Sequence, residues 1–167
     1  MKILSSVVVL SLLAACAVQE GQAVIDNPFA GPGWDDQAKE PLNRDRPTYI
    51  VAATHLTVKN VPAAHAKFVD VFAPIRELFE SGKLQGFVGY GTRTHWTFQE
   101  DWTISVWETE EDMVAFVLSE EHQRAIREMR EHSEEAVVTH WEVPREALPV
   151  AWETVLEKIQ QQGRQGY

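Results

Sequence analysis

The sequence predicts an α+β domain built on the ferredoxin-like split βαβ plan, a four-stranded sheet with helices on one face and one added C-terminal helix. Three observations carry that prediction. From Thr48 onward, strand-like and helix-like patterns follow one another as strand, helix, strand, strand, helix, strand, helix. Turn and cap residues fall at the joints between them: Asn60, Gly82, Thr109 and Ser119. The strands are apolar on both sides, with Trp102, Ile104 and Val106 pointing one way and Trp107 the other with Thr103 and Ser105.

The elements are justified in turn. Tyr49 to Val58 is rich in β-branched and aromatic residues and reads as the first strand. Asn60 offers a helix N-cap, and Pro62 is tolerated in the first turn. Ala64, Phe68, Phe72, Ile75 and Phe79 then recur at helical spacing, Pro74 should kink this helix, and Gly82 ends it. Gly86 to Thr94 forms the second strand, and a polar hairpin around Phe98-Gln99-Glu100 leads into the third, Asp101 to Trp107. Thr109 caps a short helix bearing Met113, Phe116 and Val117, and Ser119 caps the next, bearing His122, Ile126 and Met129. Ala136 to Val143 is the fourth strand, and Trp152, Val155, Leu156 and Ile159 line one face of a last helix in the 144–167 segment. Helices cover one sheet face, and a second copy of the sheet is the economical cover for the other, so a homodimer is expected.

The chain ahead of this 48–143 domain reads differently. Met1-Lys2 is a short positive start, and Ile3 to Ala15 is uncharged and apolar, too short to span a bilayer but laid out as a secretory signal. It ends in Leu13-Ala14-Ala15-Cys16, which resembles the lipobox of bacterial lipoproteins. That resemblance implies removal of residues 1–15 and acylation of Cys16, the only cysteine. The expected place is the cell envelope, with Ala17 favouring an outer membrane facing the periplasm in a Gram-negative cell. Residues 16–47 carry Gly21, Gly31, Pro32, Gly33, Pro41 and Pro47 and are expected to form a flexible tether, within which Asn27-Pro28-Phe29 and Trp34 are candidates to dock on the domain.

Composition excludes several partners. With 15 basic and 25 acidic residues the formal charge is −10, which argues against nucleic acid and against a broad anionic lipid surface. No histidine pair has the local spacing of a dedicated metal site, and there is no phosphate loop and no serine-nucleophile motif.

Trp107-Glu108-Thr109, then Phe116, Ser119 and His122, followed by the strand Ala136 to Trp141, resemble the antibiotic biosynthesis monooxygenase superfamily, the dimeric α+β barrels. The resemblance covers residues 48 to 143 and implies a cavity between sheet and helices that Trp107 closes. In haem-degrading members a strand-end tryptophan is followed twelve residues later by a serine, as Trp107 is by Ser119. Seven residues further those enzymes place the iron-ligating histidine, where this chain has Ile126, and their first-strand asparagine falls at Thr54. The cofactor-free quinol oxygenases of the superfamily also keep the tryptophan.

Three readings follow. One is a cofactor-independent oxygenase for an aromatic or quinone-like molecule, with Trp107 stacking, His122 accepting a proton, and Thr54, Thr103 and Ser105 supplying polar contacts. Another is a non-catalytic lipoprotein that binds an apolar ligand or a protein. The third is a haem binder that uses His55 or His140. Two of the three imply no cofactor.

Overall fold

The computed structural model describes residues 24–97 and 99–166, so the expected signal segment 1–15, Cys16 and Phe98 lie outside it. In chain order it contains β1 (Val24–Ala30), β2 (Trp34–Asp35), β3 (Glu40–Pro41), β4 (Thr48–Val58), α1 (Pro62–Glu80), β5 (Phe87–His95) and β6 (Glu100–Trp107). These are followed by α2 (Glu110–Val117), α3 (Glu120–Met129), β7 (Ser133–Pro144), α4 (Trp152–Gln162) and β8 (Arg164–Gln165). The α+β plan is as expected, with β4, α1, β5, β6, the α2–α3 pair, β7 and α4 in the predicted order.

The sheet has six strands in the order β1-β5-β6-β4-β7-β8, every neighbouring pair antiparallel. Local chemistry sets most boundaries. The Thr109 and Ser119 hydroxyls accept from the backbone N–H groups of Asp112 and His122, as N-caps should. Gly82, just past the end of α1, takes φ +68°, a conformation that favours glycine. Asn60 does not cap α1. Val61 occupies the N-cap in extended backbone with no side-chain bond, because Pro62 at the first helical position lacks the N–H that would need one. The helix also runs on through Pro74 to Glu80.

The expected tether is corrected from Val24 onward. β1 pairs with β5, and the chain then approaches β5 so closely that a Cβ on Gly31 would lie 2.3 Å from the Gly89 Cα. Asn27 Nδ2 donates to Thr92 Oγ1 at 2.8 Å, and Arg93 donates to both carboxylate oxygens of Asp26 at 2.7 Å. Trp34 is only 6% exposed and meets Phe29 edge-on at 5.0 Å. The Pro and Gly content that reads as a linker here serves an edge strand and a tight turn.

The expected bare sheet face is also corrected. α1, α2 and α3 pack on the side of Trp107, while Tyr49, Val51, Ala53, Ile104, Val106 and Val143 on the other side are buried with Val155 and Ile159 of α4 and with Trp34. The chain covers its second face itself, so the expected homodimer loses the exposed apolar sheet that motivated it. Replacing Trp34 with Ala should therefore cost about 3–5 kcal/mol, as for a core tryptophan. Urea unfolding measures it; a change within about 0.5 kcal/mol, typical of surface sites, would mean that this segment is a tether after all.

Candidate functional site

Alternation along β6 sends Asp101, Thr103, Ser105 and Trp107 to the helix-covered face, where β4 adds Ala52, Thr54 and Leu56. These floor residues are mostly small. Under the roof of α1, α2 and α3 they leave a cleft of about 1160 Å³, lined above by Phe72, Phe79, Phe116, His122 and Ile126 among others. Thr54, Thr103, Ser105, Trp107 and His122, chosen from the sequence, all line this one cleft.

Their roles differ in what the geometry allows. Trp107 is fully buried, its ring 4.9 Å from Phe87 and 5.2 Å from Phe116, with Nε1 donating to Ser105 Oγ at 3.0 Å. Neither ring face is open for a ligand to stack on, so Trp107 forms the inner wall, and the Ser105 hydroxyl is engaged by the indole. Thr54 and Thr103 are opposed across β4 and β6 and only half-buried, so their hydroxyls are the accessible polar groups of the floor.

His122 sits where the chain turns from α2 into α3. Its Nδ1 lies 3.1 Å from the Val117 carbonyl oxygen, which can only accept, so Nδ1 carries the proton. Nε2 is then the lone-pair nitrogen. Burial pushes the His122 pKa below the usual histidine value, against the smaller opposing effect of the Val117 bond, so the neutral ring is favoured. The ring also lies 4.7 Å from Phe116, closing an aromatic row from Trp107.

Asp101 is a residue that the sequence reading passed over. It is 7% exposed; Thr94 Oγ1 donates to Oδ1 at 2.7 Å, while Oδ2 is buried with no hydrogen-bond partner. Desolvation pushes its pKa up to about 6, with the Thr94 bond pulling weakly the other way. The available signal was period-2 alternation, which puts position 101 on the face of 103, 105 and 107.

The residues expected to serve haem are dispersed rather than gathered at one point of the cleft. Ile126, at the expected ligand position, lines the cleft with hydrocarbon. His55 is on the other sheet face, stacked on Trp102 at 4.7 Å, and His140 is at the exposed rim, 3.6 Å from Glu110.

An antiparallel sheet roofed by three helices over an apolar cleft is a ferredoxin-like α+β fold, one that solved structures described as monooxygenases share. Residues 51–167 match the family model described as Domain of unknown function (DUF3291), and the chain belongs to that family. The match runs through α4 and β8, the elements that close the second face. Among solved structures, a candidate monooxygenase from Lactobacillus acidophilus is 16% identical with a TM-score of 0.50, covering 58% of this chain and 45% of that one. A candidate monooxygenase from Fusobacterium nucleatum is 11% identical with a TM-score of 0.50, covering 72% and 48%. The cofactor-independent oxygenase SnoaB from Streptomyces nogalater is 20% identical with a TM-score of 0.46, covering 60% and 97%. The chain spans about half the length of the first two, and likeness at this level shows the fold alone. No curated protein matches the sequence.

The raised Asp101 value has a thermodynamic consequence. A carboxyl that holds its proton more tightly when folded adds stability below its unfolded value of about 4, and that stability is lost as pH rises through about 6. Asp101→Asn removes the ionisation and keeps a carbonyl for Thr94. The variant should therefore gain on wild type by about 3 kcal/mol between pH 4 and pH 7.5, read from urea midpoints at each pH. A difference that is flat with pH would show that Asp101 is solvated.

Proposed function

We propose that this chain is an exported, lipid-anchored protein whose domain binds a planar aromatic or quinone-like molecule and oxidises it with dioxygen without a cofactor. The observation that carries the reading is a neutral histidine with an acceptor nitrogen in the wall of an apolar cleft. An electron-rich phenol or its keto tautomer in the cleft gives a proton to His122 Nε2, and the resulting anion is the electron donor to dioxygen. At a ring carbon bearing two hydrogens, one oxygen atom enters as the carbonyl and the other leaves as water with those hydrogens; a quinol without such a carbon leaves as the quinone, its two hydrogens and two electrons reducing dioxygen to hydrogen peroxide. Apolar walls exclude bulk water and dissolve both reactants. Because the neutral ring is the active form, the rate should rise through a pKa below the usual histidine value and stay flat above it.

Oxygen uptake with a reduced naphthoquinol tests this. His122→Ala should lower the rate by about 10²-fold or more while leaving quinol binding within a few-fold. Equal rates would remove His122 from the chemistry. A wild type that binds the quinol and consumes no oxygen would leave the non-catalytic ligand-binding lipoprotein as the reading.

Attachment rests on Leu13-Ala14-Ala15-Cys16, and Ala17 favours the outer membrane of a Gram-negative cell, facing the periplasm. Cys16→Ala should abolish labelling by radioactive palmitate and release the protein to the soluble fraction. Unchanged labelling and fractionation would sink the lipid anchor.

A further inference from the structure

Beyond the cleft around His122, the same sheet face bears a second cavity of about 430 Å³ between α1 and the strands β1, β5 and β6. Its floor carries Asn27, Thr92, Thr94, Thr103 and Asp101, and its roof includes Phe68, Phe72 and His65. It shares Phe68, Phe72, Asp101 and Thr103 with the larger cleft, so the two are contiguous.

Two polar atoms at its lining are buried and lack hydrogen-bond partners, Asp101 Oδ2 and His65 Nε2. Fold-level needs do not explain Asp101. Only Thr94 donates to it, through the other oxygen, and among the described residues lining the cavity there is no Lys or Arg. Lys67, on the roof helix, is engaged by Glu128 and Asp70. A carboxylate desolvated without a counter-charge costs stability unless a partner arrives. The roof supplies a second preference. The Phe68 and Phe72 rings are stacked at 5.7 Å, and aromatic faces favour cations. The net charge of −10 attracts cations to the surface in the first place.

We propose that this second cavity is a binding site for an organic ammonium group, with Asp101 Oδ2 as its counter-ion and the Phe68–Phe72 pair as its apolar cover. The N–H groups left over have the Thr92 and Thr103 hydroxyls as acceptors. The site shares Asp101, Thr103 and the Phe68–Phe72 pair with the larger cleft, but it does not depend on the chemistry assigned to His122. The ligand is an amine carrying one aromatic or short alkyl arm, which extends past Phe72 into the larger cleft.

Asp101 must be ionised to hold the cation, so binding should weaken as pH falls through about 6. His65 on α1 is the other titratable side chain lining the cavity, while β4 and β5 face Asp101 with Leu56 and Thr94, which do not titrate.

Calorimetry with the full chain tests the proposal, using phenethylammonium and its neutral analogue phenethyl alcohol as probes. At pH 7.5 the ammonium should bind about tenfold more tightly than the alcohol, and that preference should vanish at pH 5. Asp101→Asn, whose folding the urea midpoints report independently, should lose the preference at both pH values, whereas His65→Gln should keep it with the same pH dependence. Equal binding of the two probes by wild type, no binding of either, a preference that survives in Asp101→Asn, or a pH dependence that disappears with His65 would each overturn it.

Discussion

The central strands β4 and β6 are apolar on both faces, and everything else in this molecule answers that constraint. Val51, Ala53, Ile104 and Val106 point one way and are buried; Ala52, Leu56 and Trp107 point the other, Trp107 buried and Ala52 and Leu56 half-buried beneath the helices. A sheet of this kind needs two covers. α1, α2 and α3 provide one. The other is assembled from the two ends of the described chain: α4 after the last long strand, and the segment carrying Phe29 and Trp34 before the first. Arg93 joins these ends, binding Asp26 of β1 with two charge-assisted hydrogen bonds while its guanidinium lies 4.9 Å from the Trp152 ring of α4.

The two covers pack differently, and that difference creates the cleft. On the α4 side large residues meet large residues: Trp34, Tyr49, Trp102 and Ile159 share one core cluster. On the other side Ala52, Thr54, Thr103 and Ser105 stand beneath the helices, while Phe79, Phe87, Trp107 and Phe116 concentrate the aromatic packing at one end. Helices propped by aromatic rings at that end cannot settle onto a floor of small side chains. The space persists because close packing would require moving whole helices.

Electrostatics follows from the same dryness. His122 and Asp101 both shift toward their neutral forms because burial disfavours charge, the histidine downward and the carboxyl up to about 6. Asp101 and Trp107 are six positions apart on β6, a span of roughly 20 Å along a strand. The cleft and its side cavity thus carry a proton acceptor towards one end and a latent anion at the other, with hydrocarbon between them.

Much of this was written locally. Strand alternation placed Thr103, Ser105 and Trp107 on one face, hydroxyl caps fixed the starts of α2 and α3, and the β4–α1–β5–β6 order followed from periodicity, because each depends on residues within a few positions of one another. The same alternation held Asp101 in plain view, but nothing local told its environment from that of a solvated strand-end carboxylate. Burial of Asp101, the loss of Trp107 as a stacking surface, β1 on the sheet edge and α4 over the second face were decided only in three dimensions. Each results from segments far apart in sequence competing to cover the same apolar surface, and a Gly- and Pro-rich stretch reads as a linker until the surface it covers exists.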